Sequence, residues 1–274
     1  MSWSDLDRPP LSAARLARDL VDDGFELRVV PRTASTNADL VAAAAGGAPE
    51  GTVLVAESQE AGRGRLGRTW TSPPRAGLTV SVLLRPALTS GASAASGWIP
   101  LLTGLAVAMA LRDRAGVEVA LKWPNDVVLV APDGAERKVA GILAEATRDG
   151  AVVVGIGLNV TTRADEFAGV VPGSMAPTSL ALSGARSTDR ETVLKAILRS
   201  LARAYASWRA DPSSIAPLYR SVCSTLGRDV RVELPGGAAV EGTVLDVDDE
   251  GRLEVRDTAG EVHRFAAGDV VHLR

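Results

Sequence analysis

Across 274 residues there is one cysteine, Cys223, and there are two histidines, His263 and His272, both near the C-terminus. A lone cysteine makes no internal disulfide, which excludes a fold stapled by cross-links and fits a reducing compartment. A zinc site cannot rest on that cysteine and two C-terminal histidines. No run of eighteen apolar residues occurs, so no membrane-spanning helix is expected. The first ten residues, MSWSDLDRPP, carry acidic groups where a signal peptide needs a basic stretch and an apolar run. These absences point to a soluble, cytoplasmic protein. A net charge of -3 excludes a protein that grips nucleic acid through overall charge. Lysine is also scarce: of 30 basic residues only Lys122, Lys138 and Lys195 are lysines. A position that keeps lysine against such a bias is a candidate for work that arginine's planar fork cannot do.

What is present is ample apolar material, 46% of the chain, patterned in two ways. Up to about Leu226 helical and strand periods alternate. The spacing predicts helices over Leu11–Asp22, Asn37–Ala45, Ile99–Ala115 and Glu191–Arg209, with a further helix running to about Leu226. Strands are predicted over Glu26–Val30, Thr52–Glu57, Leu78–Leu84, Val117–Lys122, Val127–Val130, Lys138–Thr147 and Ala151–Val160. Arg148-Asp149-Gly150 joins the last two as a hairpin. From Gly227 the chain reads as five short alternating strands broken by glycine turns, beginning at Val230, Val240, Leu253, Val262 and Val270. That is a small barrel, near the size limit for independent folding, and it should lean on the larger part. Two domains follow, 1–226 and 227–274.

The most distinctive stretch is Gly62-Arg63-Gly64-Arg65-Leu66-Gly67-Arg68, directly after a strand. Alternating glycines let the backbone approach a ligand and aim N–H groups at it, and the arginines add forks for phosphate or carboxylate oxygens. It is not a P-loop, because no Gly-Lys-Ser/Thr closes it. Leu121-Lys122-Trp123-Pro124-Asn125-Asp126 places a lysine at the end of a strand, beside a rigid turn. A fixed ammonium there suits a site where a carboxylate and a phosphate must meet. Lys138-Val139-Ala140-Gly141-Ile142-Leu143 and Gly155-Ile156-Gly157-Leu158-Asn159 put glycines inside strands, where either a flat ligand or close packing must compensate for the missing side chains. Ser35-Thr36-Asn37 sits where a helix N-cap belongs, and it offers hydroxyls and an amide.

Taken together and in this order, these five blocks resemble the biotin–protein ligases. The resemblance covers about residues 27–274. It implies an α+β fold: a catalytic domain with a mixed β-sheet of the class II synthetase-like, biotin-ligase type, followed by an SH3-like C-terminal β-barrel. It implies an enzyme that forms biotinyl-5'-AMP from biotin and ATP, with Mg2+ from an unnamed ligand set. Biotin would then pass to a lysine of a biotin carboxyl carrier domain of an acyl-CoA carboxylase. The catalytic residues implied are Lys122 and Arg65. Biotin contacts are implied for Ser35, Thr36, Asn37, Gln59, Arg63, Gly64, Arg65, Lys122 and Gly141, and ATP contacts for Arg63, Arg65, Arg68, Trp70, Lys122, Asn125 and Asn159. Some members carry an N-terminal winged-helix repressor domain. The stretch ahead of Glu26 is too short for one, so the enzyme-only form, with no nucleic-acid partner, is expected as a monomer or weak dimer. A lipoate–protein ligase and a nonenzymatic biotin-binding regulator remain the rival readings.

Overall fold

A computed structural model describes residues 8–86, 97–167, 175–234 and 237–273 of the chain. The turn expected at Pro235-Gly236-Gly237 lies partly outside the described residues, as does the segment before Arg8. Seven strands form one mixed sheet: β1 (Glu26–Val30), β2 (Thr52–Ala56), β3 (Gly77–Leu84), β4 (Val119–Lys122), β5 (Asp126–Val130), β6 (Glu136–Ala146) and β7 (Val152–Asn159). Their spatial order is β1-β2-β3-β7-β6-β5-β4. β1 and β2 run parallel and the remaining neighbours run antiparallel.

Five α-helices accompany these strands among the described residues: α1 (Ala13–Leu20), α2 (Thr36–Ala45), α3 (Trp98–Ala115), α4 (Arg190–Ala210) and α5 (Ala216–Arg220). α3 is apolar on almost every side because it is enclosed, lying between the sheet and α4. Strand period then sorts β3: Leu78, Val80, Val82 and Leu84 enter this core, while Leu83 joins a small cluster under α2 on the opposite face. Thr79 and Ser81 share the period of Leu83, so part of the α2 face of the sheet is polar.

The helix expected to run to Leu226 is shorter, ending at Arg220. Beyond it the backbone turns to pair with the outer edge of β4. Leu121 N–H donates to the Val222 carbonyl and Ser224 N–H to the Leu121 carbonyl, each at 2.8 Å. These bonds cover an otherwise open sheet edge, which one more helical turn could not do.

All five C-terminal strands lie where the alternation placed them: β8 (Asp229–Glu233), β9 (Ala239–Val247), β10 (Leu253–Asp257), β11 (Val262–Phe265) and β12 (Asp269–His272). They form an antiparallel sheet in the order β11-β10-β9-β8-β12, which curls in the SH3-like manner without β11 and β12 pairing. The unit does lean on the rest. Val230, Val232, Val247, Leu253 and Val255 belong to the same apolar cluster as Trp98, Leu101 and Trp123. Trp98 Nε1 donates to the Asp249 carbonyl at 2.9 Å and Trp123 Nε1 to the Gly251 carbonyl at 3.1 Å. Two buried indoles thus grip the β9–β10 turn.

Candidate functional site

Register brings the separated motifs together. Thr79 stands opposite Gly157, Gly157 opposite Gly141, Gly141 opposite Asp126, and Asp126 opposite Lys122. One lateral row across five strands therefore runs from a hydroxyl, over two bare backbones, to a carboxylate and an ammonium. The start of α2 and the Gly62–Trp70 loop rise beside it. The cleft is lined by Ser35, Thr36, Asn37, Gln59, Arg63, Gly64, Arg65, Arg68, Trp70, Asn125, Gly141 and Gly157, all but Gly157 expected from the sequence, and by Asp126, Lys138 and Asp269.

The wall at α2 is ordered by short-range capping. Ser35 Oγ accepts from Ala38 N–H, as an N-cap should. Gln59 Oε1 accepts from Thr36 N–H at 2.9 Å and from the Thr36 hydroxyl at 3.2 Å. The Gln59 amide nitrogen is thereby turned away from Thr36. Asn37 is only 5% exposed. Its Nδ2 donates to the Leu143 carbonyl and to Glu145, and its Oδ1 accepts from Ser81 Oγ. The structure thus gives Asn37 a scaffolding task that occupies its amide. Asn37 still lines the cleft, as expected from the sequence, and its Oδ1 keeps a second lone pair.

Both glycines that interrupt β7 answer to close packing. A Cβ on Gly155 would lie 2.3 Å from Asn37 Oδ1, and one on Gly157 would lie 2.4 Å from Trp70 Cε2. The flat group on the strand is, in this structure, the protein's own Trp70. Its indole nitrogen is buried without a hydrogen-bond partner among the described residues, and Lys138 Nζ stands 5.9 Å from its ring centroid. The room left in the cleft is ≈ 130 Å³. Ligand pockets span about 300–1,000 Å³, so the wall must move to admit one.

That wall is the arginine loop. Its neck is closed by Trp70 N–H to the Gly62 carbonyl at 2.9 Å and by Gly64 N–H to the Arg68 carbonyl at 2.7 Å. At the tip, Leu66 is 56% exposed with φ 54°, a left-handed conformation that is unfavourable for a leucine. Arg63 faces Glu145 at 3.9 Å, and Arg68 is held by Asp269 at 2.5 Å.

Arg65 and Lys122 differ from these. Each is half-buried, and neither side chain makes a hydrogen bond or ion pair among the described residues. Burial holds both pKa values below their ordinary range, against the opposing pull of Asp126 and Asp269. Lys122 sits behind the cleft wall, at the end of the glycine row. Asp126 lies 2.7 Å from Lys138, but its buried Oδ1 is outside hydrogen-bond geometry. Asn125 donates to the Ile142 carbonyl at 3.1 Å and ties the β4–β5 turn to β6.

Asn159 departs from expectation. It is 4% exposed, does not line the cleft, and donates its amide to the Thr178 carbonyl at 3.0 Å. The segment at Thr178 covers it, and in this structure it stands away from the cleft. Sequence reasoning passed over Asp126, though it stands inside the lysine motif. It also missed Asp269, which no motif announced and which only the folding of β12 against the loop brings near.

Comparison with known proteins agrees with this layout. Residues 29–161 match the model of the Biotin/lipoate A/B protein ligase family, and residues 225–273 match that of the Biotin protein ligase C terminal domain. The chain is 43% identical to a biotin–[acetyl-CoA-carboxylase] ligase of Mycobacterium tuberculosis, covering 100% of both chains. Among solved structures, the biotin protein ligase from Aquifex aeolicus in complex with biotin and ATP superposes with a TM-score of 0.73 at 28% identity, over 91% of this chain and 99% of that one. The Leishmania major biotin protein ligase bound to biotinyl-5-AMP gives 0.61 at 25% identity, over 88% and 99%.

Proposed function

The chain belongs to the biotin protein ligase family, and from that membership we propose that it joins biotin to ATP in the cleft over the glycine row and hands the biotinyl group to a carrier lysine. In the first step a biotin carboxylate oxygen attacks the α-phosphorus. The bond from that phosphorus to the bridging oxygen breaks, pyrophosphate leaves, and biotinyl-5'-AMP remains. In the second step the lysine amine attacks the acyl carbon, AMP departs, and the amine's proton goes to solvent or to the departing phosphate. The acceptor we propose is a lysine on a biotin carboxyl carrier domain of an acyl-CoA carboxylase, acting in the cytoplasm.

One observation supports this reading above the others: Arg65 and Lys122 are half-buried cations whose side chains make no ion pair or hydrogen bond among the described residues, beside a side-chain-free floor. Two anions that repel in water can be brought together where fixed positive charge awaits them, and a preorganised donor needs no rearrangement during the reaction. Ser35 and Gln59 would meet the ureido ring, Thr36 would hold Gln59 in place, and Gly141 would leave room beside it. Gly64 and the flanking Arg63 and Arg65 would close on the carboxylate and α-phosphate. Arg68 would face the departing pyrophosphate. Trp70 would swing from Gly157 to border the adenylate, and Asn125 would border the nucleotide. Magnesium would enter with ATP.

Residues 1–226 would carry the chemistry, and 227–274 would brace it. The test is pyrophosphate exchange into ATP with biotin present and absent, then mass spectrometry of a carrier domain incubated with both. Exchange that depends on biotin and a mass gain confined to the carrier lysine are expected. Exchange supported equally by lipoate, or by no acid at all, would refute the reading.

A further inference from the structure

Arg68 and Asp269 are 201 positions apart in the chain, yet they meet at the rim of the cleft at 2.5 Å. Asp269 opens β12, the edge strand of the C-terminal sheet, where it stands opposite Glu233 of β8. The glycine before it is tightly seated: a Cβ on Gly268 would lie 2.8 Å from Val232 Cγ1. The backbone that presents this carboxylate is therefore fixed by the C-terminal sheet, while its partner rides on the loop that must open.

Asp269 also bears on more than Arg68. Its charge acts on both Arg65 and Lys122, raising pKa values that burial lowers. The other carboxylate facing those two cations, Asp126, has its own close cation in Lys138 at 2.7 Å. We propose that Asp269 is a resident counter-ion for the phosphate-binding cations, holding Arg68 in the empty enzyme and releasing it to the polyphosphate of ATP. This rests on the proposed engagement of pyrophosphate by Arg68.

The pair is suited to exchange. Arg68 and Asp269 side chains are 51% and 41% exposed, so water screens their attraction and parting them costs little. A triphosphate carries several charges against one carboxylate and so displaces it. The C-terminal sheet thereby enters the ATP-binding equilibrium without contacting the nucleotide. Asp269 is a positioning residue acting through Arg68, and its presence weakens ATP binding.

The measurement is the equilibrium affinity of the full chain for a nonhydrolysable ATP analogue, with biotin affinity and melting temperature alongside. Asp269→Asn is expected to bind the analogue about three- to fivefold tighter at low salt, the range of an exposed ion pair. The gain should fade as salt screens the pair, and biotin affinity should change less than analogue affinity. Asp269→Ala should behave likewise, which guards against a peculiarity of the asparagine. In an Arg68→Ala background the Asp269→Asn gain should be markedly smaller. Unchanged or weaker analogue binding in both Asp269 variants would overturn the proposal, as would an equal gain without Arg68. An enzyme that binds the analogue yet forms no biotinyl-AMP from biotin and ATP would instead refute the adenylation reaction, leaving the handover to be judged on the affinities.

Discussion

Lys122 and Arg65 occupy the position that costs a charged side chain most: partly out of water and, among the described residues, without a partner. A fold keeps such groups only where something supplies the missing anion or where function compensates. Lys122→Arg is therefore a sharp substitution, since it preserves charge but replaces a compact ammonium with a wide fork. Biotinyl-AMP formation should fall by about 100-fold or more, the scale for losing one preorganised donor. The melting curve should be unchanged. Near-normal adenylation in that variant would remove Lys122 from the mechanism.

His272 offers a second test. Burial, then the charges of Lys122 and Arg228, lower its pKa from 6.5 to about 4. Glu136 at 3.9 Å would favour the imidazolium, but Arg228 engages that carboxylate at 2.7 Å. Because the folded pKa lies below the unfolded one, folding favours the neutral ring. The stabilising contribution is complete above about pH 6.5 and is lost as pH falls toward 4. Melting temperature should drop across that window more steeply in the natural protein than in His272→Gln. Parallel curves would show that the ring does not titrate there. These residues also show what a sequence can announce. Lys122 and Arg65 stood in motifs that sequence reasoning singled out, and the structure leaves both half-buried near the cleft. Asn159 stood in one too, yet its amide serves the fold, because a motif does not reveal which segment will cover it.

Among the elements, the glycine strands and the arginine loop act as floor and gate. The glycines of β7 were legible as sites of close approach, but not the identity of the group that approaches. For Gly157 it is Trp70, a neighbour set by the return of the loop rather than by local sequence. Gly157→Ala should force that indole aside in the empty protein and, because Trp70 must leave Gly157 for the adenylate, tighten ATP-analogue binding by about tenfold, as overpacking by one methyl group costs ~1–3 kcal/mol. Unaltered affinity in a well-folded variant would show that the fit between Trp70 and the floor is irrelevant to ligand binding. The loop's neck is hydrogen-bonded, while its tip buries no apolar side chain and carries repelling charges. Hydrogen exchange at Arg65, Leu66 and Gly67 should therefore slow on adding biotin and ATP, with little change at the neck. Tip amides already protected in the empty protein would end the idea of a gate.

At the scale of the molecule, the change of pattern near Gly227 was clear from the sequence, because strand periods and glycine turns replace helical spacing abruptly. The reliance of the C-terminal sheet on the rest followed from its size. Its manner of attachment did not follow, because the tryptophans that grip the β9–β10 turn belong to the lysine motif and to the start of α3. Trp123→Phe keeps an aromatic ring but leaves the Gly251 carbonyl without its donor. An unsatisfied buried group costs ~1–3 kcal/mol, so the melting temperature should fall by several degrees. Adenylation should weaken with it, since Trp123 directly follows Lys122 in the chain. The most direct test of biotin transfer by this chain joins both ends of the reaction: full-length protein, biotin, ATP and a purified carrier domain, followed by mass spectrometry. One biotinyl group on one carrier lysine is expected, dependent on ATP and absent in Lys122→Arg. A carrier left unmodified while the protein binds both small molecules would contradict that function.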